Sequence, residues 1–146
     1  MAGIHTTIAA AVTDALNEAA LSLPFSAARV YVPEIELRAA DEAIAVRVWP
    51  DPEGRTGKFE SRGHTRREYP IYVAVLARCN VDDNDVVDAY AALLEEIEDH
   101  FLGQALAGYP SARCRATDQV VLYAWENLRR NRQYAGVVKL TFMRVA

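Results

Sequence analysis

Residues 69–79, YPIYVAVLARC, alternate in the manner of a β-strand but carry apolar side chains on both sides. Ile71 and Val73 point one way, whereas Tyr72 and Leu76 point the other. A strand with one face in water alternates apolar with polar residues, so a strand that is apolar on both sides must be covered on both. The segment therefore predicts a central strand. The rest of the chain must supply its neighbouring strands and the elements that cover both of its faces.

Two segments have the three- and four-residue spacing of a helix that packs one face on a core. The first covers residues 4–23 and should end before Pro24, because proline disfavours helical geometry in the preceding residue and cannot donate the next hydrogen bond. The second starts after Asp82, a suitable N-cap, and ends near Gly103. Its predicted apolar stripe comprises Val86, Tyr90, Leu93, Ile97 and Phe101.

Four further segments are predicted strands: 29–37, 43–49, 113–123 and 137–145. The first two are joined by a short connection at Asp41 and Glu42, which predicts an antiparallel hairpin. A short helical excursion is expected at residues 125–132. The predicted fold class is α+β in a single domain, residues 1–146: a mainly antiparallel sheet of about five strands packed with two amphipathic helices. The order is αβββα-β-(short helix)-β, with a long basic loop between strands 2 and 3.

The connection between the second and third predicted strands, residues 51–68, is polar and basic. At about 18 residues it exceeds the usual hairpin length, so it is either functional or disordered. Between its first and last Arg, residues 55–67, it holds five cations against the single acid Glu60: Arg55, Lys58, Arg62, Arg66 and Arg67. Residues 51–68 are named the basic arm.

Negative charge gathers in the second predicted helix. Residues 82–99 hold eight acids and no Lys or Arg, although the net charge of the chain is only −4. Fourteen of the sixteen basic residues are Arg, which forms two-pronged contacts with carboxylates and is favoured at protein interfaces. A GC-rich coding sequence would give the same excess of Arg.

Several function classes find no support in the sequence. No run approaches the roughly 18 apolar residues that a membrane-spanning helix needs. Residues 1–20 carry Asp14 and Glu18 and no basic segment, so no export signal is expected. The two cysteines, Cys79 and Cys114, are too few for a disulfide scaffold and indicate a reducing, cytoplasmic compartment.

No catalytic, cofactor or metal site is predicted. Residues 54–58 lack the leading glycine, the Ser or Thr and the following helix of a phosphate-binding loop. His5, His64 and His100 lie in separate segments, without the spacing of helical metal pairs. Cys114 stands between two arginines that would lower the pKa of an exposed thiol, yet no base accompanies it, so an inert thiol is expected.

The pattern of these segments resembles the tail terminator, or tail completion, proteins of long-tailed bacteriophages and prophages, over most of the chain. The resemblance rests on the amino-terminal helix and turn of LSLPFSAARVYVPEIEL, the long loop before a Tyr-Pro-Ile-Tyr-Val strand, and the acidic amphipathic helix. The carboxyl-terminal VVLYAWENLRRNRQYAGVVKLTFMRV is similar to the family's closing strand, helical turn and LTF-type strand. The resemblance implies an α+β domain that forms a hexameric ring in the virion. The ring caps the tail tube, ends its growth and joins it to the neck, and it is assembled in the bacterial cytoplasm.

A closed ring needs two different, complementary surfaces on each copy. The basic arm is one expected surface, ordering on assembly, and the outer face of the acidic helix is the other: Asp88, Glu95, Glu96 and Asp99. Expected partners are further copies of the chain, the tail tube protein and the neck or head–tail connector protein. Contact with DNA would be nonspecific at most, and no membrane contact is expected.

Three alternatives remain open. The two charged surfaces can simply be solvated, as charged faces commonly are. The protein can instead be a head–tail connector, either a stopper or an adaptor, since the fold signals differ little. A third possibility is a small ligand-binding or thiol-dependent enzyme domain that uses Cys114 or His64.

Overall fold

The computed structural model describes residues 3–32, 44–61, 64–79 and 82–144. The protein is α+β, with three helices and seven strands in these ranges. In chain order they are α1 (Ile4–Glu18), β1 (Ser26–Arg29), β2 (Ile44–Pro50), β3 (Thr56–Ser61), β4 (His64–Arg78), α2 (Asn84–Phe101), β5 (Ala105–Leu106), β6 (Tyr109–Val121), α3 (Trp125–Asn131) and β7 (Gln133–Arg144).

β4 is the central strand that the sequence predicts. The sheet runs in the order β1-β2-β4-β7-β6-β5, and β3 pairs with the first part of β4. Ile71 and Val73 are fully buried in the main core, beneath residues of α1 and α2. Leu76, on the opposite side, is buried in a smaller cluster with Ala45 and Ala135. Burial on both faces of this strand is therefore confirmed.

The first two described strands do not form the antiparallel hairpin that the sequence predicts. β1 runs parallel to β2, from Ser26↔Ala45 to Arg29↔Val48. The remaining pairings are antiparallel, so the sheet is mixed. The alternation of side chains is the same in a parallel and an antiparallel strand, so the sequence pattern carried no information on direction. Most of the predicted strand 29–37, and the proposed connection at Asp41 and Glu42, lie outside the described residues.

The prediction of about five strands with a long basic loop is also corrected. Residues 56–61 form β3, and β4 begins at His64, well before the predicted start at Tyr69. Both segments are polar because they pair mainly with each other, and a two-stranded ribbon with solvent on both faces has no apolar alternation. β5 has only two residues, which is too short for any periodicity to be recognised.

Both long helices form, with different ends from those predicted. α1 ends at Glu18 instead of reaching Pro24, and Ala19 continues in extended geometry. Leu21 and Leu23 still pack against the core, which explains why their spacing extended the helical pattern. Asp83, not Asp82, caps α2, and its carboxylate accepts a hydrogen bond from the Asp85 amide. The predicted short helix is confirmed as α3.

Candidate intermolecular interface

The basic arm is largely a two-stranded ribbon. β3 pairs with the start of β4, from Thr56↔Glu68 to Ser61↔His64. Among the described pairings, β7 meets β4 only from Glu68 onward, and β2 only from Ile71 onward. Residues 64–67 therefore lie beyond both neighbouring strands, and the ribbon extends past the end of the sheet. β3 together with residues 64–68 is named the basic ribbon.

One face of the basic ribbon carries paired charges. Directly opposed residues share a face, so Thr56, Lys58, Arg66 and Glu68 lie together, around a groove of about 300 Å³. Arg66 Nη2 lies 2.6 Å from Glu68 Oε1, so part of the positive charge is balanced within the chain. Lys58 is exposed at the outer strand of this face.

The opposite face combines an aromatic ring with an exposed cation. Gly57 is paired with Arg67, and Phe59 with Thr65. Phe59 is 74% exposed and Arg67 is also exposed. Aromatic residues and Arg are enriched at protein interfaces, so this face suits contact with a partner.

The five predicted arm residues differ in their surroundings. Arg55 donates from Nη1 to the Tyr69 hydroxyl at 3.2 Å, and its guanidinium lies 5.8 Å from the centre of that ring. Because Tyr69 is fully buried, Arg55 anchors the base of the ribbon to its own core. Lys58, Arg66 and Arg67 lie on the ribbon itself, and Arg62 lies outside the described residues.

Three of the four predicted acids form one line on α2. Asp88, Glu95 and Asp99 follow one another at helical spacing, and all three are exposed. These three residues are named the acidic stripe. Glu96 is half-buried to one side and accepts a hydrogen bond from the Ser22 hydroxyl. α2 packs on β7, β4 and β6, whereas β3 lies on the side of β4 that also pairs with β2, so the stripe and the ribbon belong to different parts of the sheet.

Glu98 is a candidate that the sequence analysis did not single out. Its Oε2 accepts a hydrogen bond from the Thr117 hydroxyl at 3.0 Å, which joins α2 to β6. Its Oε1 is buried and has no hydrogen-bond partner among the described residues. A signal was available, because Glu98 lies one helical turn after buried Leu94, at the margin of the apolar stripe.

Cys114 is the residue on which a thiol-dependent enzyme would depend. It is 1% exposed, and its Sγ lies 3.5 Å from the Ala116 carbonyl oxygen. Burial raises the pKa of the Cys114 thiol from 9.0 to about 11, so the neighbouring arginines do not activate it. Cys79 is half-buried at the margin of the core, and desolvation raises its pKa as well.

We expect Cys114 to resist thiol reagents in the folded protein at pH 8. In Cys79→Ser, Cys114 is the sole remaining thiol, and its labelling should require unfolding of the protein. Full denaturation should therefore speed the reaction by more than about a thousandfold, the scale of the folding equilibrium constant. Absorbance of released thionitrobenzoate measures the rate, and Cys79→Ser/Cys114→Ala is the unreactive control. Rapid labelling of native protein at neutral pH would contradict this result and favour a reactive thiol.

The same thiol gives a pH dependence of stability. Its folded pKa is raised, so the unfolded chain loses the proton first as the pH climbs past 9.0. The contribution of the neutral thiol is complete below that value and is lost as the pH rises through about 11.

His5 and His100 make local structural contacts. His5 Nε2 donates to the Pro70 carbonyl oxygen at 2.8 Å, and the ring of His100 packs edge-on against Phe101. The side chain of His64 lies outside what the structure describes. Within the described ranges, no group of three or more His, Cys, Asp or Glu side chains is arranged to hold a metal ion.

An open groove of about 450 Å³ lies between the ends of α1 and α2 and β5. Four of its nine lining residues are alanine, and its ionisable groups are Glu18 and His100. This composition offers a ligand few specific contacts. In the part of the chain that the structure describes, no helix combines the length and apolarity needed to cross a membrane.

No protein-family model matches this chain, and no curated protein does either.

Proposed function

We propose that this protein is a tail terminator of a long-tailed bacteriophage or prophage. Its copies form a hexameric ring on the end of the tail tube, stop tube polymerisation and supply the surface that joins the neck. One observation carries the proposal: a projecting basic ribbon and an acidic stripe lie on separate elements of one small chain. The sequence resemblance described above provides the biological setting.

Identical copies close into a ring only through head-to-tail contacts. Each contact must join one surface to a different surface of the next copy. The exposed cations Lys58 and Arg67 and the acidic stripe are complementary in this sense. Exposed ion pairs contribute only about 0 to 1 kcal/mol each, so the charges mainly set the orientation and rate of association.

The proposed setting also defines the partners. The faces of the ring would contact the tail tube protein on one side and the neck or connector protein on the other. Any contact with DNA in the channel would be nonspecific. No catalytic step is assigned to the protein, and the buried Cys114 thiol offers no activated nucleophile.

Charge reversal tests the ring. We expect Lys58→Glu/Arg67→Glu to weaken self-association at low salt by at least about tenfold, because like charges then face each other. Asp88→Lys/Glu95→Lys/Asp99→Lys should have a similar effect, and combining the two sets should restore much of the association. Sedimentation velocity and light scattering measure the assemblies. The wild-type affinity should fall between about 0.05 and 0.5 M salt, as screening shortens the range of the charges.

Arg129→Glu/Arg130→Glu on α3 is the matched control, since it changes the net charge as the ribbon variant does, on exposed residues of another element. It should leave association unchanged. Addition of the protein to growing tail tubes tests the termination role directly. A monomer that neither caps tubes nor blocks their growth would refute the proposal, and binding to portal complexes instead of tubes would assign the protein to the head–tail connector.

A further inference from the structure

The two edges of the sheet differ in whether their outer backbone groups are hydrogen-bonded. At one end, the side-chain amide of Asn17 seals β1: the Ala27 amide donates to Asn17 Oδ1 at 2.8 Å, and Asn17 Nδ2 donates to the Ala27 carbonyl oxygen at 3.0 Å. A neighbouring strand would use these same two backbone groups. Asn17 therefore occupies the position from which another chain could extend the sheet.

At the other end, β6 is left open. β5 pairs only with its first part, at Tyr109 and Arg113, and the backbone of Cys114 is bonded to Gly103 and Gln104. Beyond Cys114, no backbone hydrogen bond to a strand on the side away from β7 occurs among the described residues. Most of this stretch is exposed, including Val120 at 51%. Register irregularities lie at Cys114/Ala116 and at Gln119/Val121, and the exposed edge that includes the regular residues between them is a template for pairing with a further strand.

Glu98 lies beside this open edge. Its Oε2 accepts a hydrogen bond from Thr117, in the stretch of β6 whose outer side is open, while the buried Oε1 has no partner among the described residues. A buried carboxylate oxygen without a hydrogen bond is costly, on the order of 1–3 kcal/mol or more. An N–H or cationic donor from a chain laid along the edge would remove that cost.

β3 has the properties expected of a strand that pairs with the open edge of β6. It pairs with β4 on one side, and its other side is open among the described residues. It has six residues, as does the stretch 116–121 of β6 whose outer side is open, and it carries Lys58, whereas the β6 edge carries Asp118 and adjoins Glu98. The open sides of β3 and β6 also lie on opposite sides of the sheet, which a head-to-tail contact requires.

We propose that β3 of one copy adds to the open edge of β6 in the next copy, at residues 116–121, so that the sheet continues from subunit to subunit. The inference rests on the ring proposed above and specifies its contact. Backbone hydrogen bonds give the contact its strength, as in strand addition elsewhere. The charges of Lys58, Asp118 and Glu98 favour this pairing over the pairing of two β6 edges.

Cysteine cross-linking tests the geometry. In a Cys79→Ser background, the double variant Lys58→Cys/Asp118→Cys should form a ladder of covalent oligomers under mild oxidation, because each copy offers both ends of the contact. Each single variant alone should stay uncross-linked, and an equal mixture of the two should stop at dimers. Ala116→Cys and Val120→Cys in place of Asp118→Cys cover other registers. Dimers from Asp118→Cys alone would show that β6 edges pair with each other, which would overturn the proposal.

Edge blocking tests the energetics. Val120→Lys places a charge on the open edge and should weaken association at least tenfold, whereas Ala28→Lys, an exposed position on the sealed β1 strand, should not. Glu98→Gln, nearly identical in shape, should also weaken it. If wild-type copies associate but Val120→Lys matches Ala28→Lys and no ladder forms, the edge contact is wrong while the ring stands. A wild-type chain that remains monomeric, forms no ladder at any concentration and neither caps tubes nor blocks their growth overturns both.

Discussion

Replacement of Phe142 with alanine should lower the free energy of unfolding by about 3–5 kcal/mol. Phe142 is fully buried in β7, between its sheet partners Tyr69 of β4 and Cys114 of β6. Its ring also meets Phe101 of α2 edge-on, with centres 6.3 Å apart. Removing the ring leaves a cavity where β4, β6, β7 and α2 meet. No single one of these elements can shift to fill the cavity. Urea denaturation followed by circular dichroism measures the loss.

Two further variants make the Phe142 prediction specific. Met143→Ala changes the next residue of β7, which is half-exposed and points to the opposite side, and should cost about 1 kcal/mol or less. Phe142→Leu retains most of the volume and should cost under about 1.5 kcal/mol. This milder variant is measurable even if Phe142→Ala fails to fold. Equal losses for Phe142→Ala and Met143→Ala would contradict the packing described here.

Replacement of Gly136 with alanine should cost about 1–3 kcal/mol through overpacking. A Cβ at this position would lie 2.7 Å from the Tyr134 hydroxyl, 2.9 Å from the Leu122 carbonyl oxygen and 3.0 Å from Leu94 Cδ2. The first two atoms form a hydrogen bond, in which the Tyr134 hydroxyl donates to the Leu122 oxygen. Burial raises the pKa of Tyr134 to about 12, so the phenol keeps its proton across the neutral range and the bond persists.

Gly57→Ala is the matched control for Gly136→Ala. It also lies in a strand, but no atom would lie within 4 Å of the new Cβ, so stability should change by no more than about 0.5 kcal/mol. A double-mutant cycle with Tyr134→Phe assigns the cause. If the clash with the hydroxyl dominates, Gly136→Ala should cost less in the Tyr134→Phe background than in the wild type. A neutral Gly136→Ala substitution would show that the strand has room to shift.

For the candidate site, the positions of the charged residues could be predicted from the sequence, but their contacts could not. Sequence alone located the excess of cations at residues 51–68 and the acids of α2, because charges are a property of the residues themselves. It missed that Lys58, Arg66 and Arg67 lie on a ribbon, that Arg55 is hydrogen-bonded to Tyr69, and that Glu98 Oε1 has no hydrogen-bond partner among the described residues. These are contacts between residues distant in the chain. The spacing of apolar residues along the chain carries no information on such contacts.

The fold shows the same difference between features set by neighbouring residues and features set by contacts between distant segments. The amino-acid sequence by itself determined where α2 and the buried part of β4 would form, because burying an apolar stripe depends on residues a few positions apart. Only the tertiary structure decided that β1 runs parallel to β2, that Asn17 seals one edge, and that no described strand covers the outer edge of β6 beyond Cys114. Strand direction and edge pairing depend on backbone N–H and C=O groups, which are nearly the same in every residue. Such groups acquire their partners only when distant segments are brought together.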